Sequence, residues 1–358
     1  MSALPASLPA TIRAADLGDA AECGRLDAFV RGHANGTPFH LTAWGLGVAE
    51  GCGQKAHALL AERTDGTIAG VVPLTQVSSP LFGKALVSAG FAVGGGILAA
   101  DDAVAAKLAE ASWALAQRLG CPSVELRGGG RVADPRWHYK EDAHAGFVRP
   151  LAADSEAELL AIPRKQRAEV RRALGFDLSV EIGTGKRDRA AHYAVYAESV
   201  RNLGTPVFPR ALFDAVLDRF GRDADILTVR QEGKAIASVL SLYFNGTVLP
   251  YWGGGTPGAR IWRANDLMYY ALMNHARERG CTTFDFGRSK LGTGAFAFKK
   301  NWGFTPQPLG YATRTADGTA PREINPLDPR YARKIEMWRK LPLWLANAIG
   351  PMISRGLG

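Results

Sequence analysis

Residues 284–304, FDFGRSKLGTGAFAFKKNWGF, are the stretch around which the rest of the chain is organised. The stretch begins within a short apolar strand, residues 283–286, which carries one acid, Asp285. Gly287 ends the strand, and arginine and lysine residues then follow among glycines and aromatics. Because α/β folds place chemistry where strands end, this pattern favours a functional site over an edge strand with a basic loop.

The composition limits the class of protein. A chain of 358 residues allows two domains of ordinary size, and 47% hydrophobic with 22% charged residues is typical of a globular protein. The net charge of +9 predicts an anionic partner such as a nucleotide phosphate, tRNA or an acidic membrane surface. The four cysteines form no CxxC pair, so neither a zinc site nor a redox dithiol is predicted, and a reducing cytoplasm fits. The sequence shows no signal peptide and no run of about 18 apolar residues.

The two halves of the chain repeat one pattern of elements: a hairpin, a strand, a glycine triplet, a helix and a final strand. The triplets that begin at Gly94 and Gly253 lie 159 residues apart, and the strands VELR from Val124 and FDFG from Phe284 lie 160 residues apart. Two independent matches at nearly one offset predict a duplicated unit, and the long period excludes a solenoid.

The predicted domain boundaries follow this repeat. Residues 1–10 are expected to be a disordered lead-in and residues 11–153 the first domain. Residues 154–325 would contain a basic linker helix, which spans residues 155–174, and the second domain. Residues 326–358 would form a C-terminal basic helical segment.

The two copies differ in charge where the helix after the glycine triplet begins. A glycine loop before a helix makes an anion cradle, because the first N–H groups of a helix lack partners. Asp101 and Asp102 open the first helix, where they cap it but repel a phosphate. If these segments are more than turns, the second copy is the active one and the first is a structural copy. The residues assigned to the cofactor there are Gly254, Gly255, Arg260, Arg263 and Asn265.

Other catalytic motifs are absent or incomplete. GGGTPG from Gly253 fits GxGxxG, but Pro257 inside it and the late helix start argue against a dinucleotide site. GRSKL from Gly287 lacks the second glycine of a nucleophile elbow. The seven histidines show no HExxH and no acid at ligand spacing, so no metal is expected.

Several long motifs carry a resemblance to a known family. They are AIPRKQRAEVRR from Ala161, YAESVRNLGTPVFPR from Tyr196, VLPYWGGG from Val248 and residues 284–304, with NPLDPRY from Asn325 and LPLWLANAIGP from Leu341 in addition. From about Pro38 to its end the chain resembles the GNAT-type acyltransferase fold in tandem, as in the FemAB family of peptidyl and aminoacyl transferases. The most similar group is the FemAB-like proteins of PEP-CTERM/exosortase and exopolysaccharide gene clusters.

The resemblance implies an α/β (α+β) fold with two tandem GNAT-like acyltransferase domains, in which mixed sheets are flanked by helices. It implies transfer of an acyl or aminoacyl group to the amine of a small molecule, amino sugar or peptide in exopolysaccharide or cell-envelope biosynthesis. The donor would be acyl-CoA (acetyl-CoA) or aminoacyl-tRNA, with no metal and no DNA partner. The alternatives are an aminoacyl-tRNA-dependent peptidyltransferase of the FemABX type and a non-catalytic binding subunit of a polysaccharide machinery. The expected location is the cytoplasm.

The resemblance also implies roles for the charged residues of the organising stretch. Acyl transfer to an amine needs positioning, a route for one proton and stabilisation of an oxyanion. Lys299 and Lys300 lie in the segment that carries the site lysine of the family, and either is a candidate for the oxyanion or a donor phosphate. Asp285 is the candidate base, unless it is a structural partner of an arginine. Arg288 and Ser289 are assigned to the cofactor, with Arg288 positioned to hold a phosphate or carboxylate.

A last group of residues is assigned to the substrates. The basic helix offers either a phosphate-facing patch or a solvated face, and the aromatic residues are either pocket walls or core. A predicted loop before Pro206 would contact the acceptor. The assigned residues are Arg164, Lys165, Arg167, Arg201, Asn202, Thr205, Tyr251, Trp252 and Trp302.

The C-terminal segment predicts peripheral contact with an anionic membrane. Trp338 and Trp344 lie among basic and apolar residues, a combination typical of segments that lie in the bilayer interface. Pro342 divides the segment into two short helices. The alternative is that its apolar side chains pack back onto the second domain.

Overall fold

The structure is a computed structural model that describes residues 9–129, 131–319 and 329–357, without the side chains of residues 329–332. The lead-in expected over residues 1–10 therefore lies almost wholly outside the described residues. The same holds for the boundary expected at residue 325 and for most of the NPLDPRY motif.

The described part of the chain alternates strands and helices. The first elements are β1 (Ala10–Ala14), α1 (Ala20–Gly32), a 3-10 helix (Pro38–His40), α2 (Thr42–Cys52), β2 (Lys55–Arg63), β3 (Ile68–Ser79), β4 (Gly83–Ser88), β5 (Leu98–Ala99), α3 (Asp102–Arg118), β6 (Ser123–Arg127) and β7 (His138–Lys140). The next elements are β8 (His144–Pro150), α4 (Ser155–Ala161), α5 (Arg164–Leu174), β9 (Ser179–Gly183), α6 (Lys186–Leu203), α7 (Arg210–Phe220) and a 3-10 helix (Gly221–Asp223). They are followed by β10 (Ala224–Gln231), β11 (Lys234–Phe244), β12 (Thr247–Gly255), a 3-10 helix (Pro257–Arg260), α8 (Ala264–Glu278), β13 (Thr283–Asp285), β14 (Ser289–Lys290), α9 (Gly294–Asn301) and β15 (Pro306–Pro308). The last elements are β16 (Tyr311–Thr315), α10 (Pro329–Lys340) and α11 (Leu343–Ser354).

The duplicated unit is present as two sheets with one strand order. The order in the first sheet is β1-β2-β3-β4-β6-β16-β7, with β5 beside β3, and in the second it is β9-β10-β11-β12-β13-β8-β14, with β15 beside β8. Each sheet is antiparallel except for one parallel pair, β4 with β6 and β12 with β13. The prediction of an α/β fold with two mixed sheets and flanking helices is therefore confirmed.

The two compact units divide after residue 140 and not at residue 153. Among the described residues, the first unit takes those up to 140, residues 310–319 and residues 356–357, and the second takes residues 141–309 and 329–355. Strand β8 pairs with β13 in the second unit, whereas β16 pairs with β6 in the first. The sheet to which a strand belongs depends on hydrogen bonds to strands that are distant in sequence. Local sequence patterns do not reveal these long-range pairings.

Helices cover both faces of the second sheet. Neighbouring residues of β11 point to opposite faces, as successive side chains of a strand must. Ser238 bonds to His192 of α6 (3.1 Å) on one face, while Ala237 and Val239 join the core around α8 on the other. Because the sheet is buried on both sides, a ligand has access mainly at the strand ends.

The basic helix expected over residues 155–174 is two helices. Helix α4 ends at Ala161 and α5 begins at Arg164. Ile162 precedes Pro163, and a residue before proline is driven out of the α conformation. Ile162 has φ −69° and ψ 132°, and its side chain is completely buried. The break therefore separates an acidic helix from a basic one.

The first testable prediction concerns the cap of α3. Asp101 accepts a hydrogen bond from the backbone N–H of Val104 (2.8 Å), as expected for a helix cap. We expect Asp101→Ala to lower the free energy of unfolding by about 1 kcal/mol, because an N-terminal donor of the helix loses its acceptor. Thermal denaturation measures the change, with Asp102→Ala as the matched control. Equal effects of the two substitutions would contradict the capping role.

Candidate active site

The second sheet opens beside Asp285. Strands β12 and β13 are paired only at Thr247 with Thr283 and at Val248 with Phe284. Strand β12 continues to Gly255, still bonded to β11, whereas β13 ends at Asp285. The two parallel strands therefore separate at the carboxyl end of β13, and α/β sheets hold their ligands at such strand ends.

Asp285 is held at this strand end by the turn that follows. One carboxylate oxygen accepts a hydrogen bond from the backbone N–H of Gly287 (2.8 Å), whose φ of +70° suits glycine. Burial raises the pKa of Asp285, although the bond from Gly287 and the charge of Lys299 oppose that rise. A carboxylate with a raised pKa is a candidate general base.

Lys299 reaches the same turn from helix α9. Its Nζ donates to the carbonyl oxygens of Gly287 (3.2 Å) and Arg288 (2.9 Å) and lies 5.5 Å from the ring centroid of Phe147. Burial lowers the pKa of Lys299 to about 8, against the attraction of Asp285. Lys299 therefore fixes the backbone that carries Arg288 and places a cation near Asp285.

Lys300 points to a different compartment. It lines a cavity of about 450 Å³ between α5, the start of α8 and α9, and its Nζ lies 5.9 Å from the ring centroid of Phe296. The two lysines therefore do not share one site, because successive residues of a helix lie about 100° apart. The other residues that line the cavity are Pro163, Lys165, Gln166, Glu169, Arg263, Asp266, Phe298 and Asn301.

The cavity contains acids that sequence analysis missed. Asp266, in the first turn of α8, accepts a hydrogen bond from the amide of Gln166, and burial raises its pKa to about 6. Glu169 forms an ion pair with Arg263 (2.6 Å), the N-cap residue of α8. In the sequence, Asp266 was recognisable only as an acid near the start of a helix. That position is typical of a residue that caps a helix. The start of α8 thus carries negative as well as positive charge, which weakens it as a phosphate cradle.

The glycine triplet of the second copy is not a loop. Gly253, Gly254 and Gly255 belong to β12 and pair with β11. A side chain at Gly254 would collide with Ser199 of α6, and one at Gly255 would collide with Asn265. The triplet is therefore required for close packing, and the prediction of a glycine-loop cradle was wrong about the local structure.

Arg201 and Asn202 lie in the last turn of α6 and not in a loop. The guanidinium of Arg201 donates to the backbone carbonyl of Arg339 (3.0 Å) in α10. Gly204 ends α6 in the left-handed conformation with φ +85°, and the N–H of Thr205 donates back to Val200 (2.9 Å). This region contacts the C-terminal helices, and its assignment to the acceptor stays a prediction.

The predicted aromatic and basic residues occupy different environments. Trp302 is fully buried, and Trp252 packs on Phe213 with the ring centroids 4.8 Å apart, so both tryptophans are core residues. Tyr251, beside Trp252, is half-buried. Lys165 lines the cavity and Arg164 beside it is exposed, while Arg167 donates to the carbonyl of Ile162 (3.1 Å). Ser289 is buried in β14, and Arg260 is exposed before α8.

The parallel pair that parts and the acid at its end lie in a segment that matches a known family of acyltransferases. Residues 163–300 match the family described as acetyltransferase (GNAT) domain. This segment contains Asp285, Lys299 and most of the cavity lining, so the chain carries a GNAT acyltransferase domain.

Sequence relatives narrow the class further. The chain is 26% identical over 206 residues to the lipid II:glycine glycyltransferase of Staphylococcus aureus strain MRSA252, over 53% of this chain and 47% of that protein. With the enzyme of strain USA300 it is 29% identical over 119 residues, 31% of this chain and 28% of that protein. The chain thus spans about half the length, or less, of the curated relatives it matches.

Solved structures share the tandem fold. The crystal structure of FemX matches with a TM-score of 0.65 and 16% identity, over 81% of this chain and 95% of that one. A tandem GNAT protein from the clavulanic acid biosynthesis pathway matches with a TM-score of 0.55 and 13% identity, over 87% of this chain and all of that one. The resemblance to FemAB-like and tandem GNAT proteins is confirmed, whereas the link to PEP-CTERM and exosortase systems stays a prediction.

Proposed function

We propose that this protein transfers an aminoacyl or other acyl group to the amino group of a cell-envelope precursor. The observation that carries the proposal is the half-buried carboxylate of Asp285, with its raised pKa, at the strand end where β12 and β13 part. The lipid II:glycine glycyltransferase relatives support transfer of an amino acid, since they are named for glycyl transfer.

The proposed reaction needs one base and no protein nucleophile. The acceptor reacts as the neutral amine: its nitrogen attacks the donor carbonyl and gives up one proton to the carboxylate of Asp285. The C–N bond forms, the negative charge collects on the carbonyl oxygen, and the bond from carbon to the leaving oxygen or sulfur then breaks. The proton held by Asp285 passes to the leaving group, so the carboxylate is regenerated.

The remaining residues are proposed to hold and orient the substrates. Lys299 fixes the turn through its two bonds to backbone carbonyls, so that Arg288 faces a phosphate or carboxylate of a substrate. Lys165 and Lys300 supply cations at the cavity for the phosphate groups of the donor. Tyr251 is the remaining aromatic candidate for the acceptor side.

Two donor classes fit the site to different degrees. The carboxylates of Asp266 and Glu169 disfavour a pyrophosphate at the first turn of α8, which argues against acyl-CoA and for an aminoacyl-tRNA donor. Acyl-CoA stays the second candidate because Lys165, Arg263 and Lys300 could still bind its phosphates.

A labelled donor tests the proposal. The protein is incubated with an amino-sugar or peptide amine and either ¹⁴C-labelled aminoacyl-tRNA or ¹⁴C-labelled acetyl-CoA. Transfer forms an amide that survives mild alkali, whereas the ester of unreacted aminoacyl-tRNA is hydrolysed. Stable label from either donor supports acyl transfer and identifies the donor. If a panel of amines gives none, a non-catalytic binding subunit becomes the better explanation.

The setting of the reaction is also part of the proposal. We place the protein in the cytoplasm, where aminoacyl-tRNA and acyl-CoA are available, acting on a precursor of the envelope or of an exopolysaccharide. No helix in residues 9–129, 131–319 or 329–357 is long and apolar enough to cross a bilayer. Contact with the membrane would therefore be peripheral for the described part of the chain.

The C-terminal helices supply a testable contact of this kind. One face of α11 packs inward, where the hydroxyl of Ser354 donates to the carbonyl of Val207 (2.8 Å) and Gly350 lies close to the same residue. On the other face Trp344 is 72% exposed, and Met352 about two turns further along is exposed as well. The inward face therefore supports packing of this segment onto the rest of the protein, and the exposed face supports contact with a membrane.

We expect the full chain to bind anionic liposomes in a salt-sensitive manner, with Trp344→Ser weakening binding about fivefold, because an exposed tryptophan is an interfacial anchor. Co-sedimentation measures the effect. Deletion of the residues after Asp328 should abolish binding through these helices. Ala348→Ser, on the same exposed face, is the matched control, and equal binding by the full and truncated chains would refute the prediction.

A further inference from the structure

A second exposed apolar cluster lies on the second unit, where α5 ends and α8 begins. Leu174, Phe176 and Ile261 are 49%, 37% and 72% exposed. The ring of Phe176 packs edge-on against Trp262 with the centroids 5.2 Å apart, which joins the two segments. We call Leu174, Phe176, Ile261 and Trp262 the apolar cluster. The contact of Phe176 with Trp262 brings together the segments that carry Leu174 and Ile261, unlike the single exposed apolar residues that any surface carries.

Arginines frame the apolar cluster. Arg171 and Arg172 precede Leu174 at the end of α5, and Arg260 precedes Ile261, all with exposed side chains. The nearby acid Glu169 is engaged by Arg172 (3.1 Å) and Arg263 (2.6 Å). Within the described residues Arg171 and Arg260 have no acidic partner. Asp177 beside Phe176 is also exposed, but the three arginines outnumber it, so the net charge around the cluster is positive.

Chemistry selects the occupant of this surface. A second copy of the chain seated face to face would bring like charges together at the arginine frame, which opposes association. RNA would pair with the arginines, but the aliphatic side chains of Leu174 and Ile261 have no ring on which a base stacks. An anionic bilayer accepts both kinds of group, with arginines at the phosphates and apolar side chains below them.

We propose that the apolar cluster and its arginine frame dock the second unit on an anionic lipid surface. Ile261 and Leu174 enter the interface, Trp262 lies at the level of the headgroups, and Arg171 and Arg260 contact lipid phosphates. This surface is separate in sequence from α11, and its docking does not require that the protein be a transferase.

One consequence rests on the proposed function. Arg263 directly follows Trp262 in the chain, and Glu169 precedes Arg171 by two positions. Both Arg263 and Glu169 line the cavity beside the candidate active site. Docking would therefore hold the mouth of the cavity near the bilayer. The acceptors favoured by this arrangement are amines carried on a lipid or on a lipid-linked precursor.

Vesicle binding tests the proposal with the full chain. The partition coefficient is measured on phosphatidylcholine vesicles with and without phosphatidylglycerol. We expect Leu174→Ser with Ile261→Ser to lower partitioning roughly tenfold, since two interfacial apolar side chains are lost. Arg171→Gln with Arg260→Gln should remove the preference for phosphatidylglycerol. The matched control is Leu160→Ser, an equally exposed leucine (53%) of α4 outside the cluster, which should change partitioning by less than about twofold.

The outcomes separate the alternatives. Unchanged partitioning in both double variants, or no binding by the parent chain at low salt, would overturn the proposal. It would also be overturned if the apolar variant lost a dimer in light scattering, or lost RNA binding, while it kept its vesicle binding. Thermal denaturation confirms that the variants are folded. Transfer to a soluble amine without vesicles is measured in parallel. It should be unaffected by Leu174→Ser with Ile261→Ser, and its absence in the parent would refute the proposed function but not the docking.

Discussion

We expect Asp285→Asn to lower kcat for transfer by roughly 10²- to 10⁴-fold, because the reaction loses its general base. Asparagine keeps the shape of the side chain, and its amide oxygen still accepts the bond from the N–H of Gly287, which is 2.8 Å long in the parent. The turn should therefore survive, and the melting temperature should change little. Steady-state kinetics on the amide product provide the measurement.

A second buried acid supplies the matched control for Asp285. Asp266 also has a pKa raised by burial, to about 6, but it lies in the cavity lining and not at the strand end. Asp266→Asn should leave kcat within a few-fold and act mainly on KM. Equal losses of kcat in the two variants, or none in Asp285→Asn, would remove Asp285 from the role of base.

The pH profile gives an independent test of the same residue. Asp285 can accept a proton only as the carboxylate, and its pKa is raised. The rate should therefore climb as the pH rises through that pKa, and the climb should be absent from any residual activity of Asp285→Asn. The same ionisation has the opposite effect on the free energy of unfolding. The folded state binds the proton more tightly than the unfolded chain does, so ionisation of Asp285 at higher pH lowers the free energy of unfolding.

The second large effect is expected at Lys299. We expect Lys299→Met to lower kcat by roughly 10²-fold, because one change removes the cation beside Asp285 and the donor to two backbone carbonyls. Arg288 would no longer be held in place, so KM should rise as well. Methionine matches the length of the apolar stem but lacks the charged nitrogen that lies over the ring of Phe147.

Lys300→Met is the matched control, since Lys300 occupies the next position of α9 but lines the cavity. It should raise KM for the donor and leave kcat nearly unchanged. If Lys299→Met also raised KM alone, Lys299 would only hold substrate. If Lys300→Met caused the larger loss of kcat, the assignment of the two lysines would be reversed.

Lys299 also has a pH signature. Its pKa is lowered to about 8, so the cation is lost as the pH rises through that value, and a falling limb of the rate is expected there. Lys299→Met should lack this limb. Between pH 8 and the ordinary pKa of 10.5 the unfolded chain binds more protons than the folded one. The Lys299 contribution to stability therefore increases with pH across that window, and the variant should not show the increase.

The local features of this protein are determined by its sequence. Hydrophobic periodicity, caps and glycine positions predicted a helix opened by Asp101 and Asp102 and a strand over residues 283–286, which the structure has as Asp102–Arg118, capped by Asp101, and Thr283–Asp285. The repeat of elements at one offset predicted a duplicated unit, which the structure has as two sheets with the same strand order. These features depend on neighbouring residues, so a single sequence is enough to reveal them.

The tertiary structure alone decided which residues meet. Strands β8 and β16 joined sheets that their positions in the chain did not indicate, because pairing depends on partners more than 100 residues away. Lys299 and Lys300 are equivalent in sequence, but the rotation of one helical residue directs the first toward Asp285 and the second toward the cavity. Desolvation in the packed chain raises the pKa of Asp266, although the amide of Gln166, 100 residues earlier in sequence, donates a hydrogen bond to it that opposes the rise. Desolvation and contact across long separations create such a site, and these depend on the packed chain and not on any local pattern.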